Sequence, residues 1–128
     1  MDTNGNTKEL IKDLCSRLPY GVKVDIPDLF VSTKNNIEVL KEIFCGDDSE
    51  FRCNDSGILI KHVKPYLFPL SSMTEEQKKE QEAHLTCIKH DMSFSICRYM
   101  EWCYKNHLDV NSLIQKGLAI DATGLNVY

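Results

Sequence analysis

The sequence is short of the features that announce a chemistry. Its six glycines lie singly, so neither GxGxxG nor GxxxxGK occurs and a phosphate-cradling loop has no support. The six cysteines form no CxxC pair, which removes the commonest zinc and redox spacing. No apolar run approaches the ~20 residues that span a bilayer. The opening MDTNGNTKEL lacks the apolar stretch of a secretory signal, so a cytoplasmic location is expected, with the cysteines as reduced thiols. Positive charge is not in excess either. Lys and Arg number 15 against 19 Asp and Glu, for a net charge of −4, and both halves of the chain are mildly acidic. Non-specific duplex binding draws on clustered Lys and Arg, so nucleic acid is the minority reading, although net charge does not report a local basic groove.

What is present is ordinary for a folded domain. Hydrophobic residues make up 42% of 128 positions, enough for a single domain (1–128) to bury a core without metal or disulfide help. Residues 7–18, TKELIKDLCSRL, place Leu10, Ile11, Leu14, Cys15 and Leu18 at three- and four-residue spacing, which predicts an amphipathic helix. Thr7 is its expected N-cap, and Pro19 stops it. Val22, Val24 and Ile26 then alternate with Lys23 and Asp25, which predicts a half-buried strand ended by Pro27. DLFVST reads as a further short strand or loop.

Residues 37–44 fit both periods, with strand favoured. GDDSE reads as a hairpin turn, FRC as a short strand, NDSG as a second turn and ILI as another strand. In VKPYLFPLSSMTEEQKKE (63–80) the two prolines forbid a helix and argue against a central strand, so residues 63–74 form an extended joint. Thr74 and Gln77 have capping-box spacing, with Ser72 and Glu75 as a competing cap. A helix over 75–90 follows, supported by a Glu75–Lys79 pair. A second is expected over 93–108. Asp109 or Asn111 would cap a short third helix, SLIQK, closed by Gly117. The tail LAIDATGLNVY reads as weakly structured or extended. Phe94, Cys97, Met100, Cys103 and Tyr104 are expected to line the helical side of the core.

Three blocks, KDLCSRLPYGV, VKPYLFPLSSMTEEQ and NHLDVNSLIQKGLAIDA, resemble a family of small proteins of Bacteroides-group gut bacteria and of their phages and mobile elements. The resemblance covers most of the chain and implies a compact barrel-like β unit followed by helices. It implies no activity, cofactor or catalytic residue. It also implies strand for 37–44 and an exposed Phe68, where the family often has a basic residue.

The chemistry-bearing residues each have a plainer reading. His84, Cys87, His90 and Cys97 make a metal list, but positions 84 and 90 of one helix point roughly 120° apart, against the convergence zinc needs. Cys103 and His107 share a helix face at i,i+4, the spacing of a thiolate–imidazole pair, with no oxyanion site or orienting group indicated. Asp47, Asp48 and Glu50 lack the spacing of a calcium loop. Tyr66 and Phe68 share one parity of an extended segment, with Lys64 beside them, and Trp102 is on a helix beside Tyr99 and Tyr104. These are the candidate binding residues, because aromatics concentrate at interface hot spots.

The expected fold is α+β: an N-terminal helix, a small antiparallel sheet or open barrel over about 20–70, and two to three helices over 74–117. The expected function is non-enzymatic interaction with a protein partner, in the resemblance's context a host protein or defence complex. No cofactor, metal or membrane partner is implied. Two alternatives stay open: an RNA or single-stranded DNA accessory protein, in which Lys64, Tyr66 and Phe68 stack bases, and a small Cys-dependent enzyme.

Overall fold

In a computed structural model describing residues 3–27, 35–54, 57–90 and 92–128, the first helix, α1, spans Thr3–Arg17. It begins four residues before Thr7, so Thr7 lies inside it and is not its cap. Leu10, Asp13, Leu14 and Arg17 are its buried stripe, at i, i+3, i+4 and i+7. The apolar residues alone had placed that stripe one position round the helix. Cys15 is consequently exposed, while Ile11 and Leu18 pack at the margin of the core. Pro19 sits in a short 3-10 turn, Leu18–Tyr20, and Gly21 reverses the chain at φ 69°, a conformation that suits a residue without Cβ.

Strand β1, Lys23–Pro27, follows the expected alternation. DLFVST lies outside the described residues. Residues 37–44 are strand, but not one strand. Strand β2, Asn35–Val39, pairs antiparallel with β1, and β3, Ile43–Cys45, belongs to a second sheet. Leu40 between them is buried and donates its N–H to Val22 O at 2.8 Å. The corner is held by Asn54, at a left-handed φ of 54°. Its Oδ1 accepts from the N–H groups of Lys41 and Glu42 at 2.7 and 3.2 Å, and its Nδ2 donates to Val39 O at 3.0 Å. The second sheet is the expected antiparallel hairpin series β3–β4–β5, with β4 Phe51–Cys53 and β5 Ile58–Leu59.

Strand β6, Lys64–Leu67, contradicts the reading of its prolines. In the four-stranded sheet, ordered β2-β1-β6-β7, it is an interior strand. The two ladders are offset: β1 pairs with Lys64 and Pro65, whereas β7, Ile120–Asp121, pairs in parallel with Tyr66 and Leu67. Pro65 therefore has a ladder on one side only, which removes the usual objection to an interior proline. The sheet is mixed, and among the described residues it does not close into a barrel. The tail supplies β7, so the β layer extends well beyond residue 70 in sequence.

Helices α2, Glu75–His90, and α3, Met92–Lys105, form a hairpin. The capping box at Thr74 and Gln77 is reciprocal, at 3.0 and 3.1 Å. Ser72 bonds back to Pro69 O, so the competing cap is not used. Glu75 pairs with Lys78 at 3.3 Å, one residue earlier than expected. Helix α3 stops three residues short of 108. His107 N–H donates to Tyr104 O and Leu108 N–H to Cys103 O, with His107 left-handed at φ 58°. That is a Schellman ending with histidine where glycine is usual. The expected third helix is a run of turns. Asp109 caps it, receiving the N–H groups of Leu113 and Ile114 at 2.8 and 3.0 Å, but Ser112 at φ 57° and Gly117 at φ 76° leave no room to propagate.

One face of the four-stranded sheet packs against α1 around Leu14, Val22, Val24, Leu40, Ile60, Leu67 and Leu113. Each such side chain contributes about 1.5–3 kcal/mol on burial.

Candidate functional site

Three places concentrate the residues singled out above. The first is the outer face of the four-stranded sheet. Lys64, Tyr66 and Phe68 do share that face, as their parity requires. They do not form an open platform. Lys64 is exposed, but Tyr66 is only 8% exposed and packs with Ala122 and Val127, with Phe68 and Ile120 beside them. Phe68 is half-buried, against the expectation of exposure, with its ring centroid 5.8 Å from that of Tyr128. The covering segment is the 122–128 strap. Tyr128 carries most of its attachment. Its ring stacks on His107 at 3.7 Å and 11°. Its hydroxyl accepts from Lys23 N–H at 2.9 Å and donates to Tyr66 O at 2.7 Å. Burial pushes the Tyr128 phenol up to about 12. Lys23 Nζ also donates to Val127 O. Tyr66 reaches Asp25 Oδ1 at 3.5 Å, and burial raises the Asp25 carboxyl.

The second place is a buried polar seam between α1 and the end of α3. Asp13 and Arg17 are an i,i+4 pair with both side chains at 0% exposure and a 2.5 Å contact. A second guanidinium nitrogen reaches Asp13 Oδ2 at 3.2 Å and Leu108 O at 2.8 Å. Asn111 Nδ2 completes the carboxylate shell at 2.7 Å. The guanidinium lies 4.9 Å from the Tyr104 ring centroid. Arg17 Nη1 and His107 Nδ1 are buried without a hydrogen-bond partner among the described residues. A cleft of about 330 Å³ lies alongside, lined by Glu9, Lys12, Asp13, Ser16, Met100, Tyr104 and Asn111.

Cys103 and His107 belong to this seam, and their arrangement runs against a thiolate–imidazolium pair. His107 lies past the end of α3, so the i,i+4 geometry does not apply to it. Burial raises the Cys103 thiol. Burial, with Arg17 and Lys23 nearby, lowers the His107 imidazole to about 4. At neutral pH both groups are held uncharged, so a standing thiolate–imidazolium pair is not favoured here.

The third place is the α2–α3 hairpin. Trp102 Nε1 donates to Glu80 Oε2 at 2.6 Å, and Gln81 Nε2 donates to the Tyr99 hydroxyl at 3.0 Å. The His84 ring lies 5.9 Å from Tyr99 and 5.4 Å from Trp102. Trp102 is thus a half-buried fastening between the two helices. His84, Cys87, His90 and Cys97 share the hairpin but do not converge: among the described residues no three His, Cys, Asp or Glu side chains are grouped as a metal site. Cys97 is exposed, contrary to its expected place in the core. Cys103 is buried as expected, Met100 and Tyr104 are half-buried, and the Phe94 side chain lies outside the described set. None of the six cysteines, all among the described residues, forms a disulfide, and no described helix is long and apolar enough to cross a membrane.

No protein-family model matches the chain, and neither does any curated protein or solved structure.

Sequence reasoning missed Asp13, Arg17 and Tyr128. The first two carry a readable signal, an acid and a base spaced i,i+4 on the side of a helix that also carries Leu10 and Leu14. Tyr128 carried no local signal, since the residues it meets, Lys23, Tyr66 and His107, are all distant in sequence.

Proposed function

We propose that the chain acts by binding another protein, without catalysis, and that the α2–α3 hairpin is its contact surface. The observation that carries this reading is that none of the sixteen residues of α2 is buried. Its partner within the chain is α3, and the pair still presents Leu85 at 43% and Ile96 at 41% exposure. A helix whose apolar side chains stay in water gains little from its own fold, and an amphipathic helix that lays apolar side chains into a partner's groove is a recurring docking mode. The resemblance to proteins of Bacteroides phages and mobile elements makes a host protein, including one from a defence complex, the first partner class to seek. The same reading places the protein in the cytoplasm.

The test is affinity capture from a native-host lysate using wild type and a Leu85→Glu/Ile96→Glu double variant. The expected result is a stoichiometric protein partner retained by wild type and lost by the variant, with the variant's melting temperature unchanged. Capture of no stoichiometric partner, or equal capture by both proteins, would overturn the proposal.

The single-strand nucleic-acid reading is less favoured, because the Tyr66 ring is covered by the strap. The Cys-dependent enzyme reading is disfavoured by the opposed protonation of Cys103 and His107.

A further inference from the structure

The geometry points to a second binding surface: a groove on the outer face of the sheet for an extended peptide bearing an aliphatic residue followed by tyrosine, occupied in this structure by the chain's own Val127–Tyr128. The groove is walled by Lys23, Tyr66, Phe68, His107 and Ile120.

Its selectivity for tyrosine comes from the backbone. The β1–β6 register pairs Asp25 with Lys64 and Val24 with Pro65. Continued by one residue it would set Lys23 opposite Tyr66, but the ladder stops at Pro65. The Tyr128 hydroxyl fills that missing rung, accepting from Lys23 N–H and donating to Tyr66 C=O. A phenol does this and a phenyl ring does not. Without it, a backbone donor and a backbone acceptor beside the core are left unpaired. The ring is held by the flat face of His107 and by Phe68. The aliphatic subsite is the place of Val127, 8% exposed against Tyr66 and Ala122, and Lys23 Nζ takes its carbonyl.

The occupant is tethered lightly. Residues 123–126 are all exposed, and Gly124 and Asn126 bend the segment at φ 78° and 53°. Strand β7 keeps its own pairing with β6, so the strap beyond Ala122 can leave the groove while the sheet persists. The walls come from β1, β6, β7 and the residues just past β6 and α3, each held by backbone pairing that does not involve residues 123–128. A tethered segment competes at an effective concentration in the millimolar range, so the closed groove binds any added peptide more weakly than the open one. This surface shares only the end of α3 with the hairpin and includes neither Leu85 nor Ile96, so Leu85→Glu/Ile96→Glu tests the hairpin separately.

The test is fluorescence anisotropy of a fluorescein-labelled peptide of residues 121–128, DATGLNVY, titrated with the full-length chain. Tyr128→Ala is expected to bind it at least about tenfold more tightly than wild type, since the cis competitor is lost. A peptide with phenylalanine in the final position should bind about tenfold more weakly than the tyrosine peptide. Should Tyr128→Ala fail to fold, Tyr128→Phe keeps the stacked ring, and the tyrosine peptide should still bind it about threefold or more above wild type. Equal binding to wild type and variants, or no binding to any, overturns the inference. Binding of a labelled oligothymidine by the variants in place of the peptide also overturns it, and would assign the uncovered face to single-stranded nucleic acid.

Discussion

Helices α1 and α2 have nearly the same length, fifteen and sixteen residues, and opposite situations. Helix α1 buries a four-residue stripe that includes an ion pair, and it is held by what it packs against. Helix α2 has no fully buried residue and, beyond its contacts with α3, is held by local devices: a reciprocal capping box, acidic residues in its first turn, and Lys89 and His90 in its last. Those devices are worth a few tenths to about 1 kcal/mol each. Tertiary burial defines one helix and local chemistry the other, and the two should respond differently to substitution.

The largest contrast is expected at the ion pair. Asp13→Ala leaves the Arg17 guanidinium buried without its counter-ion and should cost about 3–5 kcal/mol, read as a fall in the urea midpoint. Asp13→Ala with Arg17→Met should recover most of that loss. A double variant as unstable as the single one would show that the carboxylate acts through Asn111 and not through charge.

The next effect is on pH dependence. His107 is depressed to about 4 from 6.5 in the folded chain, so the unfolded chain takes up this proton first as pH falls. The stabilising contribution is complete above 6.5, declines between 6.5 and about 4, and is absent below. Wild type minus His107→Asn stability, measured by denaturation at a series of pH values, should slope across that window and be flat above it. A slope lying instead between pH 7 and 9 would contradict the burial of this imidazole.

A smaller effect is expected at the cap of α2. Thr74→Ala should cost about 1 kcal/mol, seen chiefly as faster amide exchange in α2, with β1 and β6 amides little affected. Equal acceleration in the strands would mean that the hairpin and the sheet unfold together. Smallest of all, Leu85→Ala should change stability by no more than about 0.5 kcal/mol, whereas Leu14→Ala in α1 should cost about 2–5 kcal/mol.

The same contrast explains what could be read from the sequence. Local signals were legible: the capping box, the GDDSE hairpin, the alternation of β1, and the proline after α1. The α+β class and the order of helix, sheet and helices followed from them. What depended on distant pairing was not legible. Pro65 sits inside a sheet because β7, more than fifty residues away, pairs only beyond it. Residues 37–44 split between two sheets because Asn54 turns the corner. Of the candidate binding residues, Tyr66 and Phe68 were expected on one side of an extended segment with Lys64 beside them, and in the structure Tyr66 and Phe68 pack in one cluster. That two of them are covered depended on a tail whose own sequence has little periodicity. The charged stripe of α1 escaped because apolar counting treats Asp13 and Arg17 as solvent-facing.

Asn54 also makes the joint between the sheets chemically mortal. Hydrolysis of its side-chain amide to a carboxylate would preserve both bonds accepted from Lys41 and Glu42, but would turn the donor facing Val39 O into a second oxygen. A single ageing reaction, adding no bulk, would then set oxygen against oxygen at the hinge of the β layer. Asn54→Asp is its ready-made mimic, and it should loosen exchange at β2 and β3 before it is felt in α3; unchanged exchange at that corner would show that the hinge does not rely on the amide.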